Sequence, residues 1–272
     1  MQSRIRWSIA AAFVLLSSLA EAAELPLPDL YQPRPAVVIF RWTGFYAGLH
    51  AGGGGGSKDV SAVPFSFAAS PTIAGELITP LPFNVGVSGW LAGGQVGANY
   101  QSGSFVIGIE ADASGANLKG SHTCLNTVTV SNVVVATNSA SCSAKVDSLG
   151  TIAARLGYAF DYLLVYGKFG VAWSKDHYDR PVGTLLGTAV GTLNFTASET
   201  RWGWVLGAGA EYAFTDNWSA KIEYNYLGSG TRSLRFNEPT GLAQVDADVR
   251  EHIHLVKAGI NYRLGVNTIL VR

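Results

Sequence analysis

The feature that most constrains this chain is a two-residue alternation in which one face carries no charge. In segment 104–113, Phe105, Ile107, Ile109, Ala111 and Ala113 share one side, and Val106, Gly108, Glu110 and Asp112 share the other. Such a period puts successive side chains on opposite faces of a strand. Trp202, Trp204, Leu206, Ala208, Ala210, Tyr212 and Phe214 likewise oppose Val205, Gly207, Gly209 and Glu211. Trp218, Ala220, Ile222, Tyr224 and Tyr226 oppose Ser219, Lys221, Glu223 and Asn225. Eight segments of this kind are readable, at 42–52, 90–101, 104–113, 147–160, 162–174, 201–214, 217–227 and 252–264.

Their connections alternate in length. Gln101-Ser102-Gly103-Ser104, the stretch around Asp161, and Thr215-Asp216-Asn217 are hairpin turns. The other connections, 53–89, 114–146, 175–200 and 228–251, are long. Tight turns at one end and long loops at the other describe an outer-membrane barrel, with turns periplasmic and loops extracellular. Aromatics reinforce this. Tyr100, Phe105, Tyr158, Phe160, Tyr212, Phe214, Trp218 and Tyr262 fall beside the short turns or the chain end. Trp90, Trp173, Trp202, Tyr224 and Tyr226 fall beside the long loops. Two aromatic bands match the two interfaces of a bilayer, and a charge on the lipid face between them would cost about 2–4 kcal/mol. Charged residues make up 14% of the chain, against about 25% in soluble domains. The expected fold is all-β, an eight-stranded antiparallel transmembrane up-and-down β-barrel over 42–264. The formal net charge of zero argues against a nucleic-acid partner.

The amino terminus reads as a secretory signal at 1–22. Arg4 and Arg6 precede an apolar run from Trp7 to Leu19, and Ala20-Glu21-Ala22 supplies small residues for cleavage. The run is shorter than the roughly 20 residues that cross a bilayer. Pro26, Pro28, Pro33 and Pro35 make 23–41 an extended periplasmic leader, and 265–272 is a C-terminal tail. An exported chain meets an oxidising compartment, so Cys124 and Cys142 are expected to pair and staple the second long loop. That bond would stabilise by roughly 3 kcal/mol. His122 is the only histidine near them, so no metal site is expected.

The motifs resemble a known family. Trp42-Thr43-Gly44-Phe45-Tyr46-Ala47-Gly48 resembles the first-strand signature of the OmpA-like porin family of alphaproteobacteria, with opacity-type surface proteins as more distant relatives. Gly93 to Gly97, Gly108 to Asp112, Arg155 to Phe160, Leu164 to Gly167, Trp204 to Tyr226 and Val256 to Arg263 resemble its later strands in order. The resemblance implies an eight-stranded outer-membrane barrel, porin-like or a surface antigen, with no cofactor. The family usually ends on an aromatic residue that the insertion machinery recognises. Leu264 stands there instead, followed by Gly265 to Arg272.

The inward face holds the acids Glu110, Asp112, Glu211 and Glu223 and the bases Arg155, Lys168, Lys221, Lys257 and Arg263, with Gln95, Asn99, Asn225 and Asn261. An eight-stranded bore is just wide enough for side chains to fill, and an unpaired buried charge is costly. A barrel-interior charge network that plugs the bore is therefore expected, and a narrow diffusion channel is the alternative. A remote hydrolase reading rests on His50, His252 and His254 beside Glu251. Strand parity points His50 inward and the other two outward, and no serine sits in a recognisable nucleophile motif. The run Gly52–Gly56 lacks the lysine placement and helix of a phosphate loop and reads as a strand-to-loop exit. Glycines at 44, 48, 207 and 209 are expected to make room in the bore for bulky neighbours such as Tyr46. No catalytic, cofactor or metal residue is assigned. The expected partners are outer-membrane lipid, the barrel-insertion machinery and a host or envelope protein met through the loops.

Overall fold

A sheet placed in hydrocarbon must satisfy every backbone N–H and C=O internally, and a closed ring does this without edges. The computed structural model describes residues 37–62, 76–186, 189–237, 244–264 and 268–271. The strands are β1 (Val37–Phe40), β2 (Gly44–Ala62), β3 (Glu76–Pro80), β4 (Phe83–Ser102), β5 (Phe105–Val130), β6 (Val133–Phe160), β7 (Leu163–Leu186), β8 (Ala189–Ala213), β9 (Trp218–Asn237), β10 (Gln244–Leu264) and β11 (Thr268–Val271). Eight of them close a ring in the order β5-β4-β2-β10-β9-β8-β7-β6, with β6 returning to β5. Every pairing in the ring is antiparallel. The first and last ring strands meet at Phe45 opposite Leu264. The short strand β3 pairs with the far end of β5, Glu76 opposite Val130.

Hairpins β4–β5 and β6–β7 turn at Gly103 and Asp161, both at positive φ, 60° and 55°. The β5–β6 hairpin turns at the opposite end through Ser131 (φ 48°) and Asn132 (φ 64°). Positive φ at both central residues is the type I′ geometry that matches strand twist.

The expected loops are where the structure differs most. Stretches 53–62, 114–130, 133–146, 175–186 and 189–200 continue as strand, as do 228–237 and 244–251. The reason is visible in β5. Its odd residues face outward throughout, first Phe105, Ile107 and Ile109, then Lys119, Ser121 and Thr123. Its even residues face inward, first Glu110 and Asp112, then Leu118, Cys124 and Val128. The backbone phase never changes; the apolar face swaps from outside to inside where lipid gives way to water. A reading that seeks aromatic, lipid-facing alternation stops at that boundary. Bulges at Gly115/Leu118 and Val146/Ser148 lie in the same zone.

Gly52–Gly56 is likewise ladder, paired with β10 on one side and β4 on the other, and not an exit to a loop. A Cβ at Gly52 would collide with the Val256 carbonyl oxygen, and one at Gly56 with that of His252. Close strand approach demands these glycines. Room for Tyr46 comes from Gly97, and Gly209 makes room for Tyr166.

Outward aromatics and aliphatics define the spanning zone. Phe45, Tyr100, Phe105, Phe160, Tyr212 and Trp218 are exposed at one end, Trp90, Trp202, Trp204 and Tyr224 at the other, with Leu49, Val96, Ile109, Leu156, Phe169 and Ile222 between. Along β5 the zone runs from Phe105 to Asn117, the partner of Trp90. At about 3.3 Å per residue and a tilt near 40°, that height is roughly 30 Å, a bilayer's hydrocarbon thickness.

The signal reading at 1–22 and leader residues 23–36 lie outside the described residues, as do 265–267 and 272. Val37–Phe40, expected as extended leader, is strand β1 and pairs with β11 from the expected tail.

Ile109→Lys, in the spanning zone, is expected to lower stability in lipid vesicles by about 2–4 kcal/mol. Thr123→Lys, on the same outer face beyond the zone, should stay within about 0.5 kcal/mol. Denaturant unfolding of both variants measures the contrast.

Candidate functional site

The bore is built in layers, because inward residues of all eight ring strands stack along the axis. At the end that carries the Gly103 and Asp161 turns, Phe40 and Trp42 are buried with Val106, Ala159, Leu164, Tyr166 and Ala213. The Trp42 indole N–H donates to the Asp161 carbonyl at 3.0 Å, and its backbone N–H to Gln101 Oε1 at 2.7 Å. Phe40 and Trp42 therefore lie across the ring's lower mouth.

Above them is the charged layer. Arg155 bridges Glu110 (3.3 Å) and Glu211 (2.9 Å) across the bore. Lys168 meets Glu223 at 2.8 Å, Glu110 at 3.3 Å and Asp112 at 3.4 Å. Lys221 meets Glu110 at 2.9 Å and Glu223 at 3.6 Å, and Lys257 meets Asp112 at 3.1 Å and Glu223 at 3.4 Å. Hydroxyls of Tyr46 and Tyr166 donate to Glu110 (2.9 Å) and Glu223 (2.8 Å), and the Arg155 guanidinium stacks 3.8 Å from the Tyr166 ring. Ser219 and Asn261 donate to Glu211, and Thr151 to Asp112. Eight of the nine inward charges thus form one network.

Arg263 is the exception. It makes no ion pair among the described residues and lies 4.2 Å from the Phe40 ring and 4.5 Å from that of Trp42. Expected within the interior charge network, it instead has as spatial neighbours the aromatics of the residues that precede β2. A cation over an aromatic face is held by the ring's quadrupole.

The next layer joins residues that sequence reasoning left apart. His50 Nε2 lies 2.6 Å from Ser114 Oγ, Nδ1 bonds Gln95 Oε1, and Gln95 Nε2 donates to Asn261 at 2.7 Å. Serine, imidazole and an orienting amide form a chain, but His50 is 5% and Ser114 4% exposed, which leaves no approach for a substrate. His252 and His254 point outward and bond Tyr226 and Tyr224, each at 2.6 Å. The three histidines do not meet. Among the described residues no three His, Cys, Asp or Glu side chains gather closely enough to hold a metal.

Toward the opposite end the bore turns apolar, in one cluster that begins inside the spanning zone with Leu91, Leu149 and Val205 and continues past it with Leu118, Ile253 and Leu255. Embedded there is a second ionic group. Lys58 lies 2.9 Å from both Asp176 and Glu251 and donates to Tyr178 at 3.2 Å. Arg201 donates to the Val249 carbonyl at 2.6 Å. Burial opposes the Lys58 charge, but Glu251 and Asp176 beside it hold its pKa above the ordinary range. Burial, then the neighbouring Glu251 carboxylate, push the Asp176 carboxyl up to about 7 against the pull of Lys58. Parity could have found this group. Lys58 shares the inward parity of His50, Asp176 that of Lys168, and Glu251 that of Lys257.

Cys124 and Cys142 are bonded, with Cα atoms 5.8 Å apart. They staple β5 to β6 inside the barrel wall and not a free loop, since both side chains are buried.

Arg155→Ala should destabilise by about 3–5 kcal/mol in denaturant unfolding, because it strands two buried carboxylates. The folded Asp176 carboxyl holds its proton more tightly than the unfolded one, whose ordinary value is 3.8. Its contribution to stability is therefore complete below about pH 4 and lost as pH rises through about 7. Asp176→Asn should flatten the stability profile across that window.

The family described as outer membrane protein beta-barrel domain matches residues 9–263. The 31 kDa outer-membrane immunogenic protein of Brucella melitensis is 33% identical over 97% of this chain and 100% of its own length. The 25 kDa outer-membrane immunogenic protein of Brucella abortus is 24% identical over 94% and 95%. Among solved structures, the outer-membrane protease OmpT of Escherichia coli aligns over 81% of this chain and 97% of its own, with 9% identity and a TM-score of 0.47. Neisserial surface protein A aligns over 82% and 98%, with 15% identity and a TM-score of 0.36. Those two likenesses are too loose to carry an argument, whereas the family match and the Brucella relatives cover nearly the whole chain. The chain belongs to the outer membrane protein β-barrel domain family, and its place is the outer membrane.

Proposed function

We propose that this chain is a non-enzymatic barrel that contributes to envelope structure and surface display, with its bore plugged by its own side chains. The observation that carries this reading is Arg155, held between Glu110 and Glu211 across the bore at 3% exposure. Lys168, Lys221 and Lys257 fill the same layer, each at most 4% exposed. The aromatic layer below and the aliphatic cluster above support closure at two further heights. A water path would have to pass paired charges whose separation is strongly disfavoured in a low-dielectric interior.

The enclosed His50–Ser114 pair supports the non-enzymatic part, as do relatives whose names speak of immunogenic proteins. Ring strands that run well past the extracellular aromatic band support surface display. They lift polar outer faces away from the bilayer and are pinned at β5–β6 by the disulfide. Entry through the barrel-insertion machinery, and contact of the extracellular extension with a host or envelope protein, belong to the same reading.

Purified protein in planar bilayers is expected to show no stable open state. A reproducible open state in the unsubstituted protein would instead overturn the plugged bore in favour of a diffusion channel.

A further inference from the structure

We propose that the outer surface of β5–β7, just beyond the extracellular tryptophans, binds phosphate groups of outer-leaflet lipid through Lys119 and Lys175, flanked by Lys145 and His177. This rests on the outer-membrane placement and not on the plugged bore.

The register places the site. Lys119 of β5 lies directly opposite Lys145 of β6, which lies directly opposite His177 of β7. Like charges facing each other across strands are destabilising unless something neutralises them. Asp147 pairs with Lys145, and Asp179 lies 3.5 Å from His177. Lys119 and Lys175 are exposed and form no ion pair within 4.0 Å among the described residues; Asp147, whose carboxylate feels the Lys175 charge, is already bonded to Lys145. The opposite side of the barrel is built differently. There Arg250 faces Asp59 across β10 and β2, and Arg235 pairs with Asp246 at 2.9 Å. On that side Arg250 and Arg235 each face a carboxylate, whereas Lys119 and Lys175 face none.

Depth identifies the occupant. Trp173 stands two residues before Lys175 on the same outward face, and Asn117, the partner of Trp90, two before Lys119. Two residues span about 7 Å along a strand. Tryptophan rings mark the boundary of the hydrocarbon, so both ammonium groups stand at the height of the lipid headgroups. A lysine near an anionic membrane surface is worth about fivefold in affinity, and the pair about 20-fold.

The test titrates the full chain, refolded in detergent, with phosphatidic acid, with diacylglycerol bearing the same tails, and with inorganic phosphate. Saturable binding of phosphatidic acid is expected, with no binding of diacylglycerol and only weak binding of inorganic phosphate. K119Q/K175Q should lose affinity on the order of 20-fold while keeping its heat-modifiable gel mobility. R235Q/R250Q, on the opposite side, should keep the affinity. Equal affinity in K119Q/K175Q, an equal loss in R235Q/R250Q, comparable diacylglycerol binding, or inorganic phosphate binding as tightly as the lipid would overturn the proposal.

Discussion

Backbone hydrogen bonding in hydrocarbon is the constraint on which the remaining structure depends. With no water to satisfy an unpaired N–H or C=O, the spanning sheet has to close, and β6 therefore returns to β5. Closure at eight strands leaves a bore narrow enough for inward side chains of different strands to meet across it. Everything inside then follows from the need to place inward residues of eight strands against one another at every height.

In the spanning zone the outward face takes the apolar residues, so the polar ones are forced inward, where each charge loses its water. The ring meets this cost by bringing acids and bases from different strands together. Glu110 alone receives Arg155, Lys168, Lys221 and the Tyr46 hydroxyl. No two neighbouring strands could supply that set. Near the boundary where the outward face begins to meet water, Val205, Leu118 and Leu255 take over the bore. One ring thus has two interiors of opposite character, and the Lys58 group is a polar island within the upper one.

Much of this was legible in the chain itself. Parity along each segment identified the inward charges, and tight turns at Gly103 and Asp161 set the strand order. Strand length was not legible. Past the aromatic bands, residues such as Ser121, Thr123 and Ser143 carry the outward positions, and a stretch of small polar residues reads as loop until its neighbours are known. The interior partners of Arg263 were also out of reach, since Phe40 and Trp42 come to it from the segment leading into β2.

What the sequence determined by itself was the alternation, the export of a low-charge chain, the strand count of the ring and the two depths at which aromatics meet the bilayer. These depend on residue type and spacing, which are local. Only the tertiary structure decided which charge meets which, that Ser114 lies against His50, and that Lys119, Lys145 and His177 stand in one row. Those facts depend on the register between strands far apart in the chain. Register is a property of the closed ring and not of any single strand.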